Sequence, residues 1–167
     1  MRANSFNFRK TGIMKRMQDW LDEYGESHRN ETNKLIHWVC VPAIFLSITG
    51  LLYSIRIPVY FNTYQLNVAV IALVLVWIYY LRLSPMLSIG MLLFGAGCLI
   101  ICHLVESRAP MPLWLFSLIV FVLAWLGQFY GHKVEGKKPS FLKDLQFLMI
   151  GPAWLMSFVY RKIGWKY

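Results

Sequence analysis

The chain has 167 residues, of which 57% are hydrophobic and 15% are charged. Soluble domains carry about 45–50% apolar and about 25% charged residues, so this composition excludes an ordinary soluble domain. The net charge of +9 comes with no base-reading motif. We therefore expect no nucleic-acid partner, and we attribute the charge to basic flanks that meet anionic membrane lipids.

The hydropathy pattern predicts the elements in chain order. Residues 1–12 are expected to be irregular, and residues 13–25 form an amphipathic helix at the membrane surface, because their apolar side chains share one face. Long apolar runs then predict four membrane-spanning helices, at residues 33–54, 64–83, 86–104 and 113–134. Residues 139–162 are interrupted by charges and by Gly151-Pro152, which predicts two interfacial or partly inserted helices. The sequence thus predicts one all-α integral membrane domain over residues 1–167.

Turn and cap residues separate these elements. Asn30 or Thr32 is placed to cap the first span, and Pro42 is expected to kink it. Residues 55–63 contain Pro, Asn and Thr and are predicted to form a loop. A tight Ser84-Pro85 turn joins the second and third spans.

The basic residues predict the orientation. Of the 17 Lys and Arg residues, only Arg56 and Arg108 fall outside the two terminal segments and the turn after the second span. The positive-inside rule therefore places both termini in the cytoplasm. This predicts a multi-pass protein of the inner membrane in a bacterium, or of the endoplasmic reticulum in a eukaryote.

Histidines are the main candidates for chemistry. His28, His37 and His132 all fall at the cytoplasmic ends of predicted spans, and imidazoles gathered at one rim are typical of a metal or proton-transfer site. His103 lies at the opposite rim, about 28 Å away along a 19-residue helix. Cys98 and Cys102 with His103 form an alternative ligand set on a nonspecific spacing, whereas buried free thiols are the simpler interpretation.

The spacing around the first two histidines adds conditions and partners. His28 and His37 are nine residues apart and would face opposite sides of one continuous helix, so a shared site requires a bend between them. Tyr24 precedes His28 by four residues, and Asn33 precedes His37 by four, which places Asn33 to orient the His37 ring.

The end of the fourth span carries further candidates. Gly127 and Gly131 form a Gly-x-x-x-Gly pattern that lets a neighbouring backbone approach closely. Glu135 follows His132 on the same helical face and is a candidate metal ligand, base or orienter of an imidazole. Lys137-Lys138 is either an anchor for the span end or a cationic pair that holds a carboxylate headgroup.

Two segments resemble a known family. Tyr24-x-x-x-His28 and Asn33-Lys34-Leu35-Ile36-His37, followed by Val41-Pro42, resemble the first signature of the membrane 2-hydroxy-fatty-acid dioxygenases. Trp125-x-x-Gln128-Phe129-Tyr130-Gly131-His132-x-x-Glu135-Gly136-Lys137-Lys138-Pro139-Ser140 is similar to the second. The likeness extends from about Tyr24 to Trp154, although the central spans contribute only hydropathy.

The resemblance implies an Fe(II)-dependent enzyme that shortens a 2-hydroxy fatty acid by one carbon with O2 and without 2-oxoglutarate. It implies metal ligands at His28, His37 and His132. Three protein ligands would leave positions for the substrate hydroxyl, its carboxylate and O2. Candidate catalytic residues are Glu135, Asn33 and Tyr24. Candidate substrate-binding residues are Lys137, Lys138 and Arg29.

Three alternatives remain open. His37 and His132 from different spans are also a pattern expected of a bis-histidine haem protein. A non-enzymatic, lipid-binding membrane scaffold would use the same polar rim for headgroups. A multi-histidine desaturase or hydroxylase would need about twice as many ligands as four histidines offer.

Overall fold

The computed structural model describes residues 17–25, 28–62, 64–136 and 149–165. This part of the chain forms six helices and a hairpin: α1 (Met17–Gly25), α2 (Glu31–Tyr53), β1 (Arg56–Phe61), β2 (Tyr64–Asn67), α3 (Val68–Leu83), α4 (Pro85–Arg108), α5 (Leu113–Glu135) and α6 (Ile150–Lys162). The predictions for residues 1–12 and for the Lys137-Lys138 pair lie outside the described residues, as does the first part of the predicted C-terminal helical segment.

Apart from the small hairpin, the described residues fold into helices, and three of these helices are long and apolar enough to cross a membrane. These are α2, α4 and α5, with 23, 24 and 23 residues. The apolar α3 has 16 residues and rises about 24 Å, less than the roughly 30 Å hydrocarbon core. The described ranges therefore contain three candidate spans, and the fourth stays a prediction.

The segment between α2 and α3 differs from the prediction. Residues 56–61 pair antiparallel with residues 64–67, so the predicted loop is a hairpin and the second apolar helix begins at Val68 rather than Tyr64. The turn passes through Asn62 with a φ of 55°, a conformation that Asn tolerates better than most residues. The sequence of β1, Arg-Ile-Pro-Val-Tyr-Phe, is rich in β-branched and aromatic residues that favour strands.

Side-chain caps begin two of the long helices. The Asn30 side chain accepts bonds from the backbone N–H groups of Thr32 and Asn33, at 2.9 and 3.3 Å, which selects Asn30 as the cap of α2. Ser84 caps α4, and Pro85 takes its first position. Proline is tolerated there because the N–H of a first helical residue has no partner within the helix. The predicted Ser84-Pro85 turn is therefore confirmed.

Helices α2 and α5 pack against each other, and both glycines of the predicted Gly-x-x-x-Gly pattern lie in their contact. A Cβ at Gly127 would lie 2.6 Å from the Cys40 Sγ, and one at Gly131 would collide with the Asn33 Oδ1. A methyl group at either position would therefore force the facing side chain or the helix itself to move. The close approach brings the start of α2 against the end of α5, where two of the candidate ligands lie.

The C-terminal helix is a packed part of the fold. Gly151-Pro152 does not break it but occupies its first turn, where proline is tolerated. Residues from α1, α2, α3, α4 and α6 share one buried apolar cluster, made of Leu21, Tyr24, Val41, Tyr80, Leu87, Met91, Ile150, Ala153, Trp154, Leu155 and Tyr160. The Tyr160 hydroxyl donates to the Met86 carbonyl at 2.8 Å and accepts from the Gly90 N–H at 3.0 Å. The α6 helix therefore closes the end of the bundle where the histidines lie.

Candidate metal centre

Three buried imidazoles converge at one end of the bundle. One possible ligand atom from each of His28, His37 and His132 lies within 4.8 Å of the others. The His37 ring centroid is 4.1 Å from that of His28 and 5.3 Å from that of His132. Among the described residues, no other group of three His, Cys, Asp or Glu ligand atoms converges in this way. We call these three residues the histidine cluster.

Three separate pieces of chain supply the cluster. His28 lies in the non-helical residues 28–30, His37 is in the second turn of α2, and His132 is in the last turn of α5. The bend that a shared site requires is the Asn30 cap, where the chain enters α2. Residues more than 100 positions apart in sequence therefore meet at one point.

Hydrogen bonds fix the tautomers of two imidazoles. The Nδ1 of His28 lies 2.7 Å from the Tyr24 carbonyl oxygen, and the Nδ1 of His37 lies 2.9 Å from that of Asn33. A carbonyl only accepts, so each Nδ1 carries the hydrogen and each Nε2 carries the lone pair. This is the usual arrangement of metal-binding histidines, whose second nitrogen is held by an acceptor.

Tyr24 and Asn33, the predicted catalytic neighbours, both contact the cluster through the backbone. The sequence predicted that Asn33 orients the His37 ring. In the structure its backbone carbonyl is the group that does so. The Tyr24 ring also stacks on the His28 ring, with centroids 4.2 Å apart and planes 15° apart. Both residues therefore hold imidazoles in place.

Glu135 joins the end of α5 to the start of α2. Its two carboxylate oxygens accept from the backbone N–H groups of Arg29 and Asn30, each at 2.9 Å, and from the Asn33 Nδ2 at 3.0 Å. Of the roles left open by the sequence, this geometry fits an orienting group. The carboxylate holds Asn33 and the two residues that follow His28, and it does not converge with the three imidazoles.

His103 lies away from the cluster. It is an exposed residue of α4 and lines a cavity near the other end of the bundle, together with Glu106 and Arg56. Glu106 and Arg56 form an ion pair there. Cys98 and Cys102 are buried free thiols, and in the described part of the chain they join no convergent ligand group.

The candidate substrate-binding residues are only partly described. Lys137 and Lys138 lie outside the described residues. Arg29 is exposed beside the cluster and lines a cavity that also reaches His28. The structure therefore places one of the three candidates near the histidines.

Trp154 is a site neighbour that the sequence did not single out. It is buried, and its ring centroid lies 5.4 Å from that of His28 and 5.2 Å from that of Tyr24. In sequence it is one of several aromatic residues in an apolar run. Only the packing of α6 against α1 brings it to the cluster.

The donor set fits a single transition-metal ion. Three imidazoles, two of them with Nδ1 held by a backbone carbonyl, suit iron, zinc, copper or nickel. A haem between His37 and His132 fits poorly, because a porphyrin needs a planar gap between its axial ligands. The His28 ring lies 4.1 and 5.8 Å from those two rings and fills that space.

The fold and the site define a helical protein with candidate membrane spans and a buried three-histidine centre. The family model described as "2-hydroxy-palmitic acid dioxygenase Mpo1-like" matches residues 14–163, and the chain belongs to this family. It is 29% identical over 150 residues to the 2-hydroxy-palmitic acid dioxygenase MPO1 of Saccharomyces cerevisiae, covering 89% of this chain and 82% of that relative. No solved structure was found to match the chain.

Proposed function

We propose that this protein is an Fe(II)-dependent dioxygenase that converts a 2-hydroxy fatty acid into the acid shorter by one carbon. The convergence of three buried imidazoles within 4.8 Å carries the proposal. The 2-hydroxy-palmitic acid dioxygenase named above is a relative over most of the chain, which supports the substrate class. Because imidazoles alone do not select iron over zinc or copper, the choice of iron comes from the oxygen chemistry.

The chain's own residues would hold and orient the ion. His28, His37 and His132 would bind it, and the carbonyls of Tyr24 and Asn33 keep the first two imidazoles as Nε2 donors. Glu135 fixes the backbone beside His28 through its bonds to the N–H groups at positions 29 and 30. A bound ferrous ion would supply open coordination positions and one-electron redox chemistry, through which electrons from the hydroxy acid could reach O2.

The overall reaction balances with one O2. A 2-hydroxy acid R–CH(OH)–COOH and O2 give R–COOH, CO2 and H2O. The bond between C1 and C2 breaks, C1 leaves as CO2, and C2 becomes the carboxyl carbon of the shorter acid. The substrate loses four electrons and O2 gains four, so no second reductant such as 2-oxoglutarate is required.

We also propose that the cluster faces the cytoplasm. The start of α2 and the end of α5 lie at the end of the bundle that α6 closes, and the basic terminal segments flank these elements. The positive-inside rule then places both termini and the cluster on the cytoplasmic side of a multi-pass protein. The partners at this face would be membrane lipids and the acyl substrate.

The test uses purified full-length protein, loaded with Fe(II) without oxygen and then given 2-hydroxypalmitic acid and O2. We expect about one iron per chain and a product one carbon shorter, identified by mass spectrometry. A Soret band would show a haem protein. Stoichiometric metal without any shorter acid would contradict the proposed reaction, and protein that binds no metal would favour the lipid-binding scaffold.

A further inference from the structure

A cavity of about 450 Å³ opens beside the histidine cluster, between α1, the start of α2 and α6. Its volume falls within the range of about 300–1,000 Å³ that is usual for small-molecule sites. His28 forms part of its wall, and Leu21, Trp154 and Phe158 form an apolar side. The cavity therefore connects the edge of the cluster with the surface.

The remaining wall is mainly cationic, and we call this space the cationic cavity. Arg29, Lys34 and Arg161 line it, against a single acidic residue, Asp22. Lys34 is paired with Glu31 at 2.7 Å, and Asp22 accepts from the Gln18 side chain at 2.7 Å. Within the described ranges, neither Arg29 nor Arg161 has an ion-pair partner. In the described part of the chain, the cavity therefore presents two guanidinium groups that form no ion pair.

The Arg161 guanidinium is held in position. Its Nε donates to the Ser157 carbonyl at 3.4 Å, and one Nη2 hydrogen points to the Ser157 Oγ at 3.2 Å. The guanidinium carbon lies 4.5 Å from the centre of the Phe158 ring. These contacts fold the side chain back along α6 and use two of its five N–H groups. The other three are enough for a two-point bond to a carboxylate.

We infer that the cationic cavity binds the ionised carboxylate of the fatty acid as it enters, with Arg161 as its principal contact and Arg29 as a second cation. A polar wall beside an aromatic one fits an amphipathic anion better than an inorganic one. The inference rests on the proposed function, since it names where that substrate docks. The docked carboxylate would lie next to His28, which is one of the three proposed metal ligands.

The experiment compares binding of 2-hydroxypalmitic acid and of its methyl ester to the full-length protein in a neutral detergent. The wild type is measured beside the variants R161Q and R161K and the control K162Q, which removes an adjacent exposed charge on the same helix. We expect R161Q to weaken acid binding by about 10- to 100-fold, as loss of a charge-assisted contact does. Binding of the ester is expected to stay the same.

The R161K variant keeps the charge but loses the planar fork, so we expect acid affinity between those of the wild type and R161Q. K162Q is expected to match the wild type. Unchanged acid binding in R161Q would overturn the inference. Equal weakening of acid and ester would also overturn it, because the neutral ester offers no charge to Arg161.

An anionic lipid headgroup carries similar chemistry, and a second arm separates it from the substrate. Vesicles of phosphatidylcholine with and without phosphatidylglycerol are compared as competitors of the acid. If Arg161 affected only competition by phosphatidylglycerol and not acid binding, the site would serve lipid and the inference would fail. Because binding is measured without turnover, Arg161-dependent acid binding in a protein that makes no shorter acid would contradict the proposed function alone.

Discussion

His37 and His132 face each other from α2 and α5, with ring centroids 5.3 Å apart in a nearly perpendicular arrangement. Each would supply one of three bonds to a metal, so the loss of either histidine would remove a bond that the other cannot replace. We expect H132A to bind Fe(II) more than about 100-fold more weakly than the wild type, beyond the 10- to 100-fold typical of outer partners. Metal content after gel filtration and the yield of shortened acid measure this.

The matched control is H103A. His103 is exposed and lies near the end of the bundle away from the histidine cluster. It removes an imidazole without touching the cluster. We expect its metal content and product yield to match the wild type. Full activity of iron-loaded H132A would contradict the proposed role of the cluster.

Glu135 acts on the cluster through the backbone. In E135A, the N–H groups of Arg29 and Asn30 lose a charged acceptor, and the segment that carries His28 is released. We expect metal affinity to fall by about 10- to 100-fold. E135Q keeps one acceptor oxygen but turns an NH2 group toward an N–H donor. We therefore expect E135Q to lower the metal affinity less than E135A does.

The control for both is E31Q, at an exposed carboxylate whose one ion pair among the described residues is with Lys34. Metal titration of all three variants tests the orienting role. If E135Q removed the metal as completely as H132A does, Glu135 would be acting as a ligand instead.

At the residue scale, the sequence predicted which side chains meet but not how they are held. The three histidines, Glu135 and Asn33 stand out because polar residues are rare in such a chain and because they fall in two recognisable signatures. The acceptors of the imidazoles are backbone carbonyls of Tyr24 and Asn33, and a carbonyl has no signature in sequence. Two of the three donors to Glu135 are likewise backbone N–H groups.

At the scale of elements, the α2–α5 contact decides whether the cluster forms. A methyl group at Gly131 would meet the Asn33 Oδ1 and would lie 3.3 Å from the Ile36 Cγ2. We expect G131A to separate the helices, to lower the free energy of unfolding by about 1–3 kcal/mol and to weaken metal binding. Thermal unfolding in detergent and metal titration measure the two effects.

The control is G97A on α4, where an added Cβ meets nothing within 4 Å. Alanine favours a helix over glycine by about 0.8–1.0 kcal/mol, so G97A should be neutral or slightly stabilising. A G131A variant as stable as G97A, with normal metal binding, would show that the helices tolerate a wider spacing.

The elements themselves were predictable to different degrees. Long apolar runs mark α2, α4 and α5 well because a membrane helix is defined by composition and length. The hairpin was missed because Pro58 and Asn62 are turn residues that also fit a loop. The position of α6 could not be predicted, because its contacts with α1 and α4 depend on where the rest of the chain lies.

At the scale of the whole molecule, a bound ion would add a further link between parts of the chain that packing and the Glu135 hydrogen bonds already join. His28 and His37 belong to the N-terminal part, His132 belongs to the end of α5, and Trp154 of α6 lies beside His28. A ligand that binds only the folded state stabilises it by RT ln(1 + [L]/Kd), which is about 2.7 kcal/mol at 100 times Kd. We therefore expect a chelator to lower the melting temperature of the iron-loaded wild type.

The H132A variant separates this linkage from a general effect of the chelator. Its melting temperature should already be close to that of the chelated wild type and should not change on chelation, because it binds too little metal to lose. H103A should behave like the wild type. If chelation lowered the melting temperature of H132A as much as that of the wild type, the stabilising ion would be bound elsewhere, and the three imidazoles would not be the point that links the two ends of the chain.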